Sequence, residues 1–443
     1  MASVLKAQGH IVSVYDVEHI TDGETLSWIE AAQKYDEYPK ALENDNHSVW
    51  LEVENTIKQF APDIVGITVL SVKVPSAIKI AKMCKDYNSK IIVIAGADHP
   101  TVFPEQTLDD SNIDYVVRGE GELTIVDLVF ALENQKNVND VHGISFKDKA
   151  TGNYIHNKDR ELIDNLDNIP LPAIDELINF ASYRPVDFGA IMASRGCPYP
   201  CTFCGVFNIW TRKVRYRSAQ NVAQEMKWLH DNYGTKYFSF RDASFTLNRT
   251  RILELCNEIL NFNLSIEWEC LTRADLLDDE LVSEMKRAGC VTIRIGVESG
   301  SEQILKSMKK KVDLDDIRFA VTLLNKHEIY WTTYFLFGTP LETKTTIQET
   351  LEFIKEINPP FVTVSRFAPI PGTEMYDDLI EANLISPYID WSMESNQRFE
   401  SNYIFAMTKE EFEVAMKEVS KTIDTHNKTQ SRIRDKKDGR LKE

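Results

Sequence analysis

Cys197, Cys201 and Cys204 fall within eight residues of one another, in the run Ser194-Arg-Gly-Cys-Pro-Tyr-Pro-Cys-Thr-Phe-Cys-Gly205. Thiolates are soft ligands and select zinc, copper or iron–sulfur centres. Gly196, Pro198, Pro200 and Gly205 favour a tight loop over a helix, and a loop is what wraps a small inorganic group. A closed iron–sulfur cluster normally takes four cysteines. The other four here, Cys84, Cys256, Cys270 and Cys290, are scattered and read as ordinary buried cysteines. The triad is therefore an incomplete ligand set, with one metal position left for a ligand from outside the chain. A zinc site with a remote fourth ligand remains open on spacing alone.

The elements that must hold this loop alternate in type. Strand-like runs at 189–193, 237–240, 265–270, 291–296, 331–337 and 361–365 are separated by amphipathic helices. One helix carries Val222, Met226 and Leu229 and stops at Gly234. A second carries Leu281 and Met285 and stops at Gly289. A third carries Ile347, Leu351 and Ile354 and ends before Pro359 and Pro360. Six strands alternating with helices predict a partial parallel β/α barrel, with a ligand at the C-terminal tips of its strands. Earlier in the chain, runs at 10–16, 63–70, 90–95 and 114–117 alternate with helical patterns and predict an α/β domain of doubly wound parallel type. The organisation read from this is a first domain at 1–145, a Pro-containing linker at 146–185, the barrel at 186–385 and a C-terminal helical extension at 386–443. That extension opens with a capping box, Thr408 and Glu411, and carries a stripe of Phe412, Met416, Val419 and Ile423; beyond Asn427 it is polar and is expected to fray.

Composition limits the alternatives. A chain of 443 residues with 43% hydrophobic content suits two or three globular domains. A net charge of −18 argues against a nucleic-acid partner. No apolar run is long enough to span a membrane, and the first residues lack the plan of a secretory signal, so the expected location is the cytoplasm.

The Cys-x-x-x-Cys-x-x-Cys run, with Phe203 before its last cysteine, resembles the signature of the radical S-adenosylmethionine superfamily. The resemblance covers about 188–379. It implies that the cysteines hold a 4Fe–4S cluster whose fourth iron is chelated by S-adenosylmethionine, which is then cleaved reductively to a 5′-deoxyadenosyl radical. It also implies roles for residues at strand ends. Asp242, in "YFSFRDASFT", would accept from the cofactor's amino group, and Arg273, in "EWECLTRAD", would meet its carboxylate. Glu298 and Ser299, in "IRIGVESGSE", would face the ribose or methionyl group, and "FLFGTPLET" and "APIPGTEMY" would approach the adenine.

Ahead of the barrel, "DIVGITVLSV", "VIAGADHPTVFPE" and "DYVVRGEGELT" resemble the flavodoxin-like cobalamin-binding domain of one subgroup, which is class B methyltransferase-like. The resemblance implies a corrin held over loops containing Thr68 and Ser71, Gly96 and His99, and Gly119, Glu120 and Gly121. There is no Asp-x-His-x-x-Gly motif, so a histidine-ligated corrin is not expected. The opening residues look like the end of a first helix followed by a second strand, so the domain is expected to lack its first strand and to bind hydroxocobalamin poorly.

Together these imply an iron–sulfur, cobalamin-dependent radical methyltransferase acting on an unactivated centre in a small molecule or natural-product precursor. It would be served by an electron donor such as flavodoxin or ferredoxin. A radical cyclase or oxidoreductase is the alternative, and a non-catalytic metal or cobalamin sensor a third reading. No general acid or base can be named, since Tyr334 and Tyr403 qualify only by residue type.

Overall fold

The computed structural model describes residues 1–17, 19, 37–386 and 403–437. Its first sheet runs in the order β1 (Ile64–Thr68), β2 (Ile92–Gly96), β3 (Tyr115–Val117), β4 (Ile144–Lys147), β5 (Tyr154–His156). The first three strands are parallel and the last two antiparallel. Apolar runs form these strands because both faces are covered. Val93, Ala95 and Val116 pack with Trp50, Val53, Ala77 and Ala81 on one side, and Ile94 and Val117 pack with Val4, Ile125 and Leu128 on the other. The sheet continues through His156, past the expected boundary at 145.

The expected strand at 10–16 does not join this sheet. Its one bridge is Val14 to Leu177, in the segment between the domains, and Ile11 is 89% exposed. A strand forms only where a neighbour's backbone is free to pair, and this one finds a single residue. Among the described residues, no strand pairs with the outer edge of β1, where Gly66 and Thr68 are exposed.

The second sheet draws on β6 (Ala190–Ile191), β9 (Tyr237–Phe240), β10 (Glu267–Thr272), β11 (Cys290–Glu298), β12 (Tyr330–Phe337) and β13 (Val362–Arg366). All are parallel, in the order β13-β12-β11-β10-β9-β6. Between β6 and β9 lies a short antiparallel hairpin, β7 (Ser194–Arg195) with β8 (Arg215–Tyr216). Alternate residues point outward to the helices: Trp268 and Trp331 are 0% and 1% exposed. Each such large side chain contributes about 1.5–3 kcal/mol of burial. The expected helices are present at Ala219–Tyr233, Asp279–Arg287 and Lys344–Ile357. Ser218 and Asp278 cap the first two, and Gly234 ends the first in the left-handed region.

The C-terminal helix, Lys409–Lys437, buries Phe412, Met416, Val419 and Ile423 as the stripe predicts. Its Asn427 accepts from the Val362 N–H at 2.9 Å and donates to the Val362 carbonyl at 2.8 Å, so it pairs the free edge of β13. Among the described residues the helix continues past Asn427 to Lys437. Gln430 bonds Asn358 at 2.6 Å and the Arg434 guanidinium lies over the Tyr330 ring at 5.6 Å, and these contacts hold the polar end.

Candidate active site

The cysteine loop is the excursion of the β7–β8 hairpin. Gly196, with φ +93°, opens it: a Cβ there would lie 2.4 Å from the Lys213 carbonyl oxygen, so only glycine lets the two strands converge. The loop is then pinned from several sides. Thr202 N–H donates to the Met308 carbonyl and accepts, through its own carbonyl, from Met375 N–H, both at 3.0 Å. Phe203 packs toward an apolar cluster of Ile304, Met308, Phe367 and Met375, so its ring is a structural anchor of the loop. The "APIPGTEMY" segment also lies against the loop, with Ile370 beside Gly205 and the Pro371 carbonyl accepting from Asn208 at 2.8 Å.

All seven cysteines are free thiols, and Cys84, Cys256, Cys270 and Cys290 are buried elsewhere, as expected. Burial raises the Cys201 and Cys204 thiols above their usual range, and the charge of the neighbouring cysteines adds to it. Nearby Lys310 and Arg273 oppose that shift at Cys201. Zinc would need its ligands converging at about 2.3 Å from one point. Among the described residues no three His, Cys, Asp or Glu side chains converge that closely. Cys197, Cys201 and Cys204 are half-buried on one loop, near enough for their charges to act on one another, and soft thiolates suit zinc and iron–sulfur centres alike.

The strand-end residues divide. Glu298 ends β11 at a register shift against β12 with φ +70°, a strained conformation for a residue with a side chain. Its Oε1 accepts from Lys310 Nζ at 2.7 Å, and both its charge and that of Lys310 reach the cysteines. Arg273 is near them too, but its guanidinium is spoken for. It donates to Asp275 at 2.9 Å twice and to the Lys310 and Lys311 carbonyls at 2.7 and 2.8 Å, and it lies over the Tyr199 ring at 3.5 Å. It therefore braces the cysteine loop. Asp242, at 2% exposure, accepts from Ala193 N–H at 3.0 Å and from Ser194 Oγ, and burial raises its pKa. Ser299, wholly buried, bonds Thr350 Oγ1 and Ser301 N–H, both at 3.1 Å. A buried polar group takes the nearest backbone or hydroxyl partner, and both side chains do so.

In the first domain the three expected loops do come together at the C-terminal ends of β1, β2 and β3. Val69 N–H bonds the Gly96 carbonyl at 2.8 Å, His99 N–H bonds the Val69 carbonyl at 3.3 Å, and Gly119 N–H bonds Thr101 Oγ1 at 3.0 Å. Thr68 is exposed, and no described atom lies within 4 Å of a Cβ position at Gly119, so that edge has room for a ligand. Ser71 Oγ meets His99 Nδ1 at 3.2 Å, and burial lowers the His99 pKa to about 4, which keeps the ring neutral at pH 7. Gly121 faces the Met1 side chain. Glu120 does not face the ligand edge; it is buried against the barrel domain through Arg195 and Arg215.

Three groups escaped the sequence reading. Lys310 lay within the triplet Lys309–Lys311, which looks like a solvated charge run. Arg195 and Arg215 flank the loop at positions where arginine is usually exposed. On the inner wall of the barrel, Glu269 accepts from Tyr237 at 2.8 Å, Ser239 at 2.7 Å and Arg294 Nε at 3.1 Å, and Arg294 also donates to Tyr334 at 3.1 Å. Alternation along β9 to β12 was the signal available for these. Tyr334 thus lies on the inner wall, whereas Tyr403 packs edge-on against Phe367.

Comparison with known proteins agrees with both halves. Residues 191–354 match the radical SAM superfamily, and residues 40–129 match the B12 binding domain family. An uncharacterized methyltransferase of Pyrococcus horikoshii is 34% identical over 337 residues, covering 75% of this chain and 73% of that protein. The anaerobic magnesium-protoporphyrin IX monomethyl ester cyclase of Rubrivivax gelatinosus is 28% identical over 74% of this chain, which spans 60% of the cyclase's length. The structure of the radical S-adenosylmethionine methyltransferase TsrM from Kitasatospora setae shares the fold, with a TM-score of 0.67 and 18% identity over 77% of this chain and 72% of that one.

Proposed function

The chain belongs to the radical SAM superfamily and carries a B12 binding domain ahead of its radical domain, and from that premise we propose that it is a cobalamin-dependent radical methyltransferase of a small molecule. The observation that carries the reading is the adjacency of two sites. The loops at the ends of β1 to β3 abut the cysteine loop, since the segment Asp98–Val102 packs on Phe207–Trp210. Bound there, the iron–sulfur cluster, S-adenosylmethionine and a corrinoid supply one-electron and methyl-transfer chemistry that side chains lack.

The chain's own groups do the rest. Cys197, Cys201 and Cys204 would hold the cluster, and the sulfonium cofactor's amino acid end would complete its ligand set. Glu298 and Lys310, a carboxylate and an ammonium side by side, complement the ammonium and carboxylate of that end. Arg273 and Gly196 fix the loop. The loops at Thr68, Gly96 and Gly119 hold the corrinoid, and the polar inner wall around Glu269, Arg294 and Tyr334 receives the acceptor molecule. An electron donor such as flavodoxin or ferredoxin serves the cluster. The enzyme works in the cytoplasm; no helix among the described residues is long and apolar enough to cross a membrane.

The test is anaerobic reconstitution with iron and sulfide, followed by reductant and S-adenosylmethionine. Release of 5′-deoxyadenosine that disappears in Cys201→Ala is expected, together with S-adenosylhomocysteine from methyl transfer. The similarity to the cyclase supports a second reading, cyclisation or oxidation. 5′-Deoxyadenosine without S-adenosylhomocysteine would select it, and neither product from protein with full iron content would rule out both.

A further inference from the structure

The two domains meet through charges buried beside the cysteine loop. Glu120, in the loop after β3, is 6% exposed. Arg215 grips it with two parallel bonds, Nη1 to Oε2 and Nη2 to Oε1, both 2.8 Å. Arg195 Nη1 adds a bond at 3.0 Å and Ile163 N–H another at 2.9 Å. The next acidic residue, Glu122, takes the other nitrogen of Arg195 at 2.5 Å. Burial pushes the Glu120 carboxyl up, but Arg215, the Ile163 N–H and Arg195 outweigh it and hold it below its usual range.

The partners are placed for a purpose beyond adhesion. Arg195 and Arg215 pair with each other across β7 and β8, the stem of the hairpin whose excursion carries all three cysteines. Arg195 stands two residues before Cys197. On the other side, Glu120 is flanked by Gly119 and Gly121, in one of the loops gathered at the ligand edge of the first sheet. A bidentate guanidinium–carboxylate pair fixes orientation as well as distance. A displacement of the loop at 119–121 is therefore passed to the hairpin stem through these bonds.

We infer that Glu120, seconded by Glu122, is a positioning residue that couples the corrinoid edge of the first domain to the cysteine loop of the second, so that ligand bound at one site sets the geometry of the other. The coupling rests on the cofactor assignments above, but its mechanical half does not. Glu120→Gln keeps the shape and removes the charge. Asp114→Asn is the control, because Asp114 pairs with Lys85 at 2.5 Å wholly inside the first domain.

Hydrogen exchange on the cofactor-free full chain reads the mechanical half. Amides of residues 194–216 should exchange at least about tenfold faster in Glu120→Gln and stay at the wild-type rate in Asp114→Asn. Should Glu120→Gln fail to fold, Arg215→Lys cuts the same latch from the other side and carries the same expectation. Electron paramagnetic resonance of the reduced cluster reads the coupling: hydroxocobalamin should change the wild-type spectrum and leave that of Glu120→Gln unchanged. Wild-type exchange in the latch variant, or a cluster spectrum that responds equally in both proteins or in neither, overturns the inference. Each of those results leaves the function intact if the wild type still releases 5′-deoxyadenosine. A wild type that binds no iron, with a hairpin loosened in Glu120→Gln, instead refutes the function and leaves the latch standing as a structural clamp.

Discussion

At the scale of single residues, burial decides which charges are available to a ligand. Asp242 and Ser299, at strand ends, are buried and bonded within the protein. Glu298 and Lys310 are bonded to each other next to the cysteines. Glu342 shows the cost of a charge with no such use. It is wholly buried, Gly338 N–H donates to one carboxyl oxygen, and Oε1 has no hydrogen-bond partner. Burial raises its pKa from 4.5 to about 8. The folded protein therefore retains a proton that the unfolded chain releases at lower pH. The associated stability is full below pH 4.5 and is lost as pH rises through about 8. Glu342→Gln has no proton to lose, so its unfolding free energy should fall less than that of the wild type between about pH 5 and 9, by on the order of 3 kcal/mol. Urea titrations at both pH values check this, and parallel pH dependences would contradict it.

At the scale of elements, the hairpin β7–β8 is the smallest sheet among the described residues and carries the three cysteines. Two residues per strand cannot stabilise it alone, so it depends on Gly196, on Arg273 beneath Tyr199 and on the arginines at its stem. Gly196→Ala places a methyl group against the Lys213 carbonyl at a φ that alanine resists. It should cost about 1–3 kcal/mol at that position. The rest of the barrel would stay folded while bound iron falls several-fold, as measured by iron content after reconstitution beside circular dichroism. Full iron loading would show that the loop does not need this convergence.

At the scale of the whole molecule, the corrinoid edge is assembled by bonds among β1, β2 and β3 and their own loops. The outer edge of β1 takes no part in those bonds. For that reason the described sheet should hold hydroxocobalamin despite having no partner strand there, contrary to the weak binding expected from the opening residues. A ligand that binds only the folded state, at 100 times its dissociation constant, adds about 2.7 kcal/mol. Denaturation with and without hydroxocobalamin should show a gain of that size, and an unchanged midpoint would restore the expectation of poor binding.

Types and spacings read from the chain alone determined the cysteine triad, its missing fourth ligand, the six parallel strands and the doubly wound first domain. These are local properties: a motif within eight residues, a period of two in strands, a glycine at a helix end. The tertiary structure alone decided which polar side chains come together beside the cysteine loop. Glu120 and Arg215 are 95 residues apart and Glu298 and Lys310 are 12 apart, and no local pattern marks either pair. A buried charge is assigned by whichever partner the fold brings within about 3 Å. That is why Glu120, legible as part of a glycine-rich ligand loop, became the joint between two domains.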